Sequence, residues 1–156
     1  MEINIKWHQP IPLKDGDPDL IYMMDEDEIE AWDGCTGVYM FCRLFKGNVI
    51  PLYIGRSKNI ANRIWAHLET TSLMRRIENS PQGAKALIIG EYISKPGQSS
   101  EKALRIVEKA LIDHALAEGY ELLNKAGTQT PTHTVEFSGF RGATRFSGGK
   151  MYAPMA

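Results

Sequence analysis

The strongest constraint on this chain is a pair of strand-forming runs joined by one turn, followed at once by a change of period. Gly37–Arg43, GVYMFCR, is rich in aromatic and β-branched residues, Lys46-Gly47-Asn48 supplies a turn, and Val49–Gly55 reads as the antiparallel return. Pro51 lies inside that return, which predicts a bulge or a position whose amide has no ladder partner. From Asn59 the period becomes helical: Ile60, Ile64 and Leu68 share one face with Ala61 and Trp65 beside it, so the spacing predicts a helix over 59–69 capped by Ser57 or Asn59.

The remaining elements follow the same logic. A second short helix is expected over Ser72–Asn79 before Pro81, and Ala86–Ile93 reads as a third strand. After the Pro96-Gly97 turn, Ser99 or Ser100 can cap a helix whose buried side is Leu104, Val107, Leu111, Ile112 and Ala115, ending at Gly119. The order strand, strand, helix, strand, helix predicts an α/β (α+β) domain: a small three-stranded antiparallel sheet flanked by helices.

At 156 residues the chain has the usual size of one domain and can close a hydrophobic core without covalent staples. Cys35 and Cys42 stand seven positions apart with no CxxC, against a disulfide scaffold or thiolate metal cage and in keeping with a reducing compartment. The start, MEINIKWHQP, has no apolar signal region, and the longest aliphatic patch, LIIG at 87–90, is too short to span a bilayer. The expectation is a cytoplasmic protein with no membrane partner.

The net charge of -1 hides an asymmetry. Residues 1–33 carry 2 Lys/Arg and 10 Asp/Glu, residues 34–90 carry 8 and 2, and residues 91–156 carry 8 and 7. A neutral total built this way still allows one face to bind a polyanion. The acidic extension, 1–33, reads as a solvated wrapper packed by Trp7, Tyr22 and Trp32, with a DNA-mimicking regulatory role as the alternative; Asp25 followed by Glu28 suits a helix start within it. Residues 126–156 form a Gly/Thr/Ser-rich extension in which Thr134–Phe137 and Thr144–Phe146 predict a short hairpin folded back on the domain.

Three features do not fit a bland domain. Glu108 falls on the helical lane of Leu104, Leu111, Ile112 and Ala115, where a carboxylate must be paired, metal-bound or rotated outward. Arg63 and His67, four apart beside an apolar face, suit phosphate binding and proton exchange, or a surface salt bridge. Tyr39 and Tyr53 stand beside Gly37 and Gly55 at strand ends, where a backbone can approach a ligand closely, although core packing also explains each tyrosine singly. Arg43, Lys46, Arg56, Lys58 and Arg63 place five cations with no acidic residue between positions 41 and 63, a track suited to a phosphate backbone.

Together these residues resemble the GIY-YIG nuclease family: Gly37-Val38-Tyr39, Tyr53-Ile54-Gly55, Arg63 ten positions after Tyr53, His67 at fourteen, Glu108 in VEKALI and Asn124 in ELLN. The resemblance covers residues 37–124, within a catalytic domain drawn at 34–125. It implies a DNA endonuclease that hydrolyses phosphodiesters with one divalent ion, Mg²⁺ or Mn²⁺, held by Glu108. It implies that Tyr39 activates the attacking water, Tyr53 shapes or assists the site, Arg63 stabilises the phosphate, His67 orients the water or the tyrosine, and Asn124 braces the site. Arg43, Lys46, Arg56 and Lys58 are the expected DNA-binding cations, and DNA the expected partner. A non-catalytic nucleic-acid-binding or assembly module on the same fold is the competing reading, and a homo-oligomer is one source from which sequence choice could come.

Overall fold

The computed structural model describes residues 2–124, 132–136, 139–143 and 150–154. In chain order the elements are β1 (Asn4–Trp7), β2 (Ile11–Pro12), β3 (Lys14–Asp15), β4 (Tyr22–Met23), α1 (Glu26–Glu30), β5 (Gly37–Phe45), β6 (Asn48–Ser57), α2 (Ile60–Leu68), α3 (Thr71–Glu78), β7 (Ala84–Ile93), α4 (Ser100–Ala117), β8 (Thr132–Glu136) and β9 (Lys150–Pro154).

The β5–β6 hairpin closes with Phe45 opposite Asn48. Its two turn residues, Lys46 (φ 52°) and Gly47 (φ 77°), both adopt positive φ, as the twist-matched two-residue hairpin turn requires. The ladder has one irregularity. Phe41 faces Tyr53 but Cys42 faces Pro51, so Leu52 is the additional residue of a bulge beside the proline. Beyond the bulge, Met40 faces Ile54, Tyr39 faces Gly55 and Val38 faces Arg56. This register puts Tyr39, Phe41 and Tyr53 on one face and Val38, Met40 and Ile54 on the other.

The two faces are covered by different helices. Tyr39, Phe41, Leu52, Leu87 and Ile89 pack with Ile60, Ile64 and Leu68 of α2 and with Leu73, Met74 and Ile77 of α3. On the opposite face Val38 and Tyr92 meet Ala103 and Leu104 of α4, while Ile54 meets Ile112 and Ala115. Capping sets the helix starts. Asn59 accepts from the Asn62 amide and Ser99 from that of Lys102, each satisfying one of the donors that a helix N-terminus leaves free.

The sheet has five strands rather than the expected three. β7 pairs antiparallel with β5, and its other side is taken by β1 and then β2, with Ile5 opposite Tyr92 and Ile11 opposite Leu87. An unpaired β7 would expose a row of amides and carbonyls, and the N-terminal segment supplies their partners. Those strands are too short, and too interrupted by Pro10, to be legible as strands by pattern alone. The acidic segment is correspondingly more than a wrapper. Ile29 of α1 is fully buried in the core, and Asp33 accepts from the Asn59 side chain at the start of α2. Tyr22 is buried as expected, but Trp7 is 44% exposed and does little packing.

In the C-terminal extension β8 pairs with β9, and β9 lies beside α4. The first expected strand matches β8, apart from Phe137, while Thr144–Phe146 lies outside the described residues. No helix among the described residues is long and apolar enough to cross a membrane. Both cysteines are free thiols.

Ile29→Ala is expected to cost about 2–4 kcal/mol of folding stability in urea unfolding, the usual cost of truncating a fully buried aliphatic side chain. A surface wrapper would lose almost nothing.

Candidate active site

A cleft of about 620 Å³ opens at the edge of the sheet formed by β6, between helices that cover opposite faces. β6 lends it Tyr53 and Ile54, α2 lends Arg63 and His67, α4 lends Glu108, and Asn124 follows α4. Five of the six residues expected at the catalytic site therefore line one cavity.

The sixth, Tyr39, lies behind that wall and is 1% exposed. Its hydroxyl is 2.6 Å from His67 Nε2, and its ring lies nearly parallel to that of Tyr53, with centroids 6.5 Å apart. His67 meets the Tyr53 and Phe41 rings edge-on. The motif glycines follow from this packing. A Cβ on Gly55 would overlap the Tyr39 ring and hydroxyl, and one on Gly37 would overlap the Gly90 carbonyl across the β5–β7 pair.

Burial sets the protonation of the cluster. It pushes His67 down to about 4, with the Arg63 charge acting in the same direction. It pushes Tyr39 well above the usual phenol range; Tyr53 and Glu108 add to the rise, and hydrogen bonding and charge from Arg63 oppose it. Both groups are thus neutral near pH 7. Neutral Tyr39 and neutral His67 share one hydrogen bond between Oη and Nε2, whose donor is set by the His67 tautomer. Hydrogen bonding to Tyr39 raises Arg63 above its ordinary value, so its charge is secure.

Glu108 sits between buried Leu104 and Ile112 with its side chain 22% exposed, and its Oε1 accepts from Arg56 Nη1 at 2.5 Å. Of the options open at this position, the structure takes the paired one. The register explains the partner, since Arg56 shares its face of β6 with Ile54 and so points toward α4. Among the described residues no group of three or more His, Cys, Asp or Glu side chains could hold a metal. Among the described residues the cleft is lined by two carboxylates, Glu108 and Asp113, each ion-paired, to Arg56 and to Lys109.

Asn124 acts on the backbone. Its Oδ1 accepts from the Ile54 amide at 3.1 Å and its Nδ2 donates to the Ile54 carbonyl at 2.6 Å. The Leu123 amide donates to the Leu52 carbonyl beside the bulge. One side-chain amide thereby imitates a neighbouring strand at the middle residue of the YIG motif.

The five cations expected on one track are divided between the two ends of the hairpin. Arg43 donates to the Gln82 carbonyl and, with Lys46, lies over the Phe45 ring near the turn. Arg56 and Lys58 stand at the far end of β6, paired with Glu108 and Glu101, and Arg63 stands in the cleft. Arg43 also projects from the face opposite to that of Arg56. Spacing in sequence does not report this separation, because an antiparallel hairpin carries its two arms' outer residues back to one end and its turn to the other. The cleft also includes Arg76 and Lys109, which no motif had marked. Their only sequence signal was an outward position on an amphipathic helix, which does not tell what the side chain faces.

The chain matches no family model, no curated protein and no solved structure.

Two outcomes follow from this geometry. An NMR titration of the His67 ring should show a midpoint near pH 4. Because the folded value lies below the ordinary 6.5, unfolded chains bind the proton first, so His67 contributes stability above about pH 6.5 that is lost as the pH falls to about 4. Replacing His67 by Gln should remove that part of the acid slope. Gly55→Ala should cost about 1–3 kcal/mol, measured by thermal or urea unfolding, as the added methyl displaces the Tyr39 ring.

Proposed function

We propose that the protein is a metal-dependent DNA endonuclease of the GIY-YIG type, hydrolysing phosphodiester bonds by a single-metal, tyrosine-assisted mechanism. The observation that carries the reading is the convergence of Tyr53, Arg63, His67, Glu108 and Asn124 on one cleft, with Tyr39 hydrogen-bonded to His67 directly behind it. These residues come from two strands, two helices and a loop, and their side chains supply donors for a phosphate, a carboxylate for a cation and a path for a proton.

In this reading Arg63 donates to the non-bridging oxygens of the scissile phosphate and stabilises the charge that grows there in the transition state. Glu108 would hold a Mg²⁺ or Mn²⁺ ion, which would supply further positive charge at the phosphate and a lower pKa for the attacking water. As the water oxygen bonds to phosphorus, its proton would pass to the hydrogen-bonded Tyr39–His67 pair, of which His67 lines the cleft and Tyr39 stands behind it. The phosphorus–oxygen bond to the leaving strand then breaks. Burial disfavours a charged His67 in the resting protein, and an anionic phosphate docked on Arg63 offsets that cost. Asn124 holds the Tyr53-Ile54-Gly55 backbone in place, and Arg56 must release Glu108 when the cation binds.

The Arg56–Glu108 pair also favours a second reading, a non-catalytic nucleic-acid-binding or assembly module in which the pair only ties β6 to α4. Cleavage of plasmid, linear, branched and single-stranded substrates in Mg²⁺ or Mn²⁺, with EDTA controls, separates the two. The endonuclease reading expects ion-dependent products, and Glu108→Gln to reduce their rate by at least ~100-fold. The part-exposed ion pair limits the accompanying stability change to about 1 kcal/mol. Absence of any ion-dependent product from the wild-type protein would assign it to the binding class.

A further inference from the structure

The cleft is larger than the catalytic cluster. Besides Arg63 and His67 it is lined, at the elbow between α2 and α3, by Thr70, Ser72, Leu73 and Arg76. A volume of about 620 Å³ lies in the range of sites that enclose a whole small molecule, well beyond what one phosphate group fills.

Arg76 stands out by its lack of a partner. Its neighbour Arg75 pairs with Glu78, Lys109 with Asp113, and Arg56 with Glu108. Arg76 has no ion pair or hydrogen bond among the described residues, and it is exposed on α3 with its side chain on the cleft. Arg63 likewise has no carboxylate partner among the described residues, being held by the Tyr39 and Tyr53 hydroxyls. The cleft thus contains two guanidinium groups, on two helices, whose charge no acidic side chain neutralises. Guanidinium is the donor best matched to phosphate oxygen, and Thr70 and Ser72 line the same cleft.

We propose that Arg76 is a substrate-positioning residue that binds a second phosphate of the strand whose scissile phosphate sits at Arg63. The inference rests on the nucleic-acid reading of the site but not on its catalytic chemistry. It assigns the α2–α3 elbow as the wall along which the nucleic-acid backbone leaves the catalytic cluster, and it makes the cleft itself, rather than the hairpin cations, the main phosphate-binding surface. Leu73 and Ala66 offer the apolar surface against which a sugar can rest.

The test compares Arg76→Gln with Arg75→Gln. The two remove the same charge from adjacent positions on one exposed helical turn, but only Arg76 lines the cleft. Binding of a fluorescent duplex oligonucleotide is measured by anisotropy in EDTA, where no cleavage occurs, across a series of salt concentrations. Arg76→Gln is expected to weaken binding about fivefold or more at ~0.1 M salt and to reduce the slope of log affinity against log salt by about one, the signature of a lost phosphate contact. Arg75→Gln should stay within about twofold of wild type. In Mg²⁺, Arg76→Gln should raise KM and leave kcat within about twofold, as expected for a group that binds substrate and transition state alike.

Equal behaviour of the two variants, with a wild-type protein that binds and cuts, overturns the inference and leaves the endonuclease reading intact. A wild-type protein that binds without cutting, but loses affinity specifically in Arg76→Gln, overturns the enzyme and keeps the subsite. No duplex binding by wild type overturns both, and direct binding of inorganic phosphate at millimolar level without duplex binding reassigns the cleft to a small phosphorylated ligand.

Discussion

The structure depends on how the free edge of β6 is treated. β5 and β7 each have two neighbours, and the N-terminal segment completes the far side of β7, but among the described residues β6 pairs only with β5. A strand in that position must have its outward amides and carbonyls satisfied. Here the chain after α4 does so locally, through the Leu123 amide and both ends of the Asn124 carboxamide, and leaves the rest of the edge open between α2 and α4. The cleft is that opening. A sixth strand would have protected the edge fully and would have removed the site.

Placing the site at an edge between two faces lets one short strand serve both sides of it. Alternation along β6 sends Tyr53 toward α2 and Arg56 toward α4, with Gly55 between them to admit the Tyr39 ring. The α2 side becomes a cluster in which Tyr39 and His67 are hydrogen-bonded to each other and both rings pack against that of Tyr53. The α4 side becomes a solvent-accessible ion pair. Burial explains the difference: Tyr39 and His67 are 1% and 6% exposed and keep their uncharged forms, whereas Arg56 and Glu108 stay part-exposed and pair with each other. The Tyr39–His67 hydrogen bond and the Arg56–Glu108 ion pair are thereby held on opposite sides of one edge strand.

Much of this was legible in the amino-acid order because it rests on local rules. The hairpin, the bulge beside Pro51, the Asn59 and Ser99 caps and the buried lane of α4 all follow from periodicity and turn chemistry that act within a few residues. The ordered spacing of Tyr39, Tyr53, Arg63, His67, Glu108 and Asn124 was visible too, and five of the six reach the same cavity. β1 and β2 were not legible, since two to four residues of strand carry no period and gain their shape only from the β7 edge they join.

Sequence by itself determined which groups exist and which face of its own element each occupies, because strand alternation and helical period are properties of the local backbone. Tertiary structure decided what each group meets. Glu108 was marked as a carboxylate needing a partner, and only the packing of α4 across Ile54 identified Arg56 as that partner. Tyr39 was marked as a cleft residue, and only the register opposite Gly55 put its hydroxyl behind His67. Arg43 and Arg56 looked like members of one basic track, and the fold sent them to opposite ends and faces of a hairpin, while bringing Arg76, unmarked by any motif, to the cleft. Partners are set by contacts between distant segments, and the free energy of those contacts comes from burial and complementarity that no window of sequence contains.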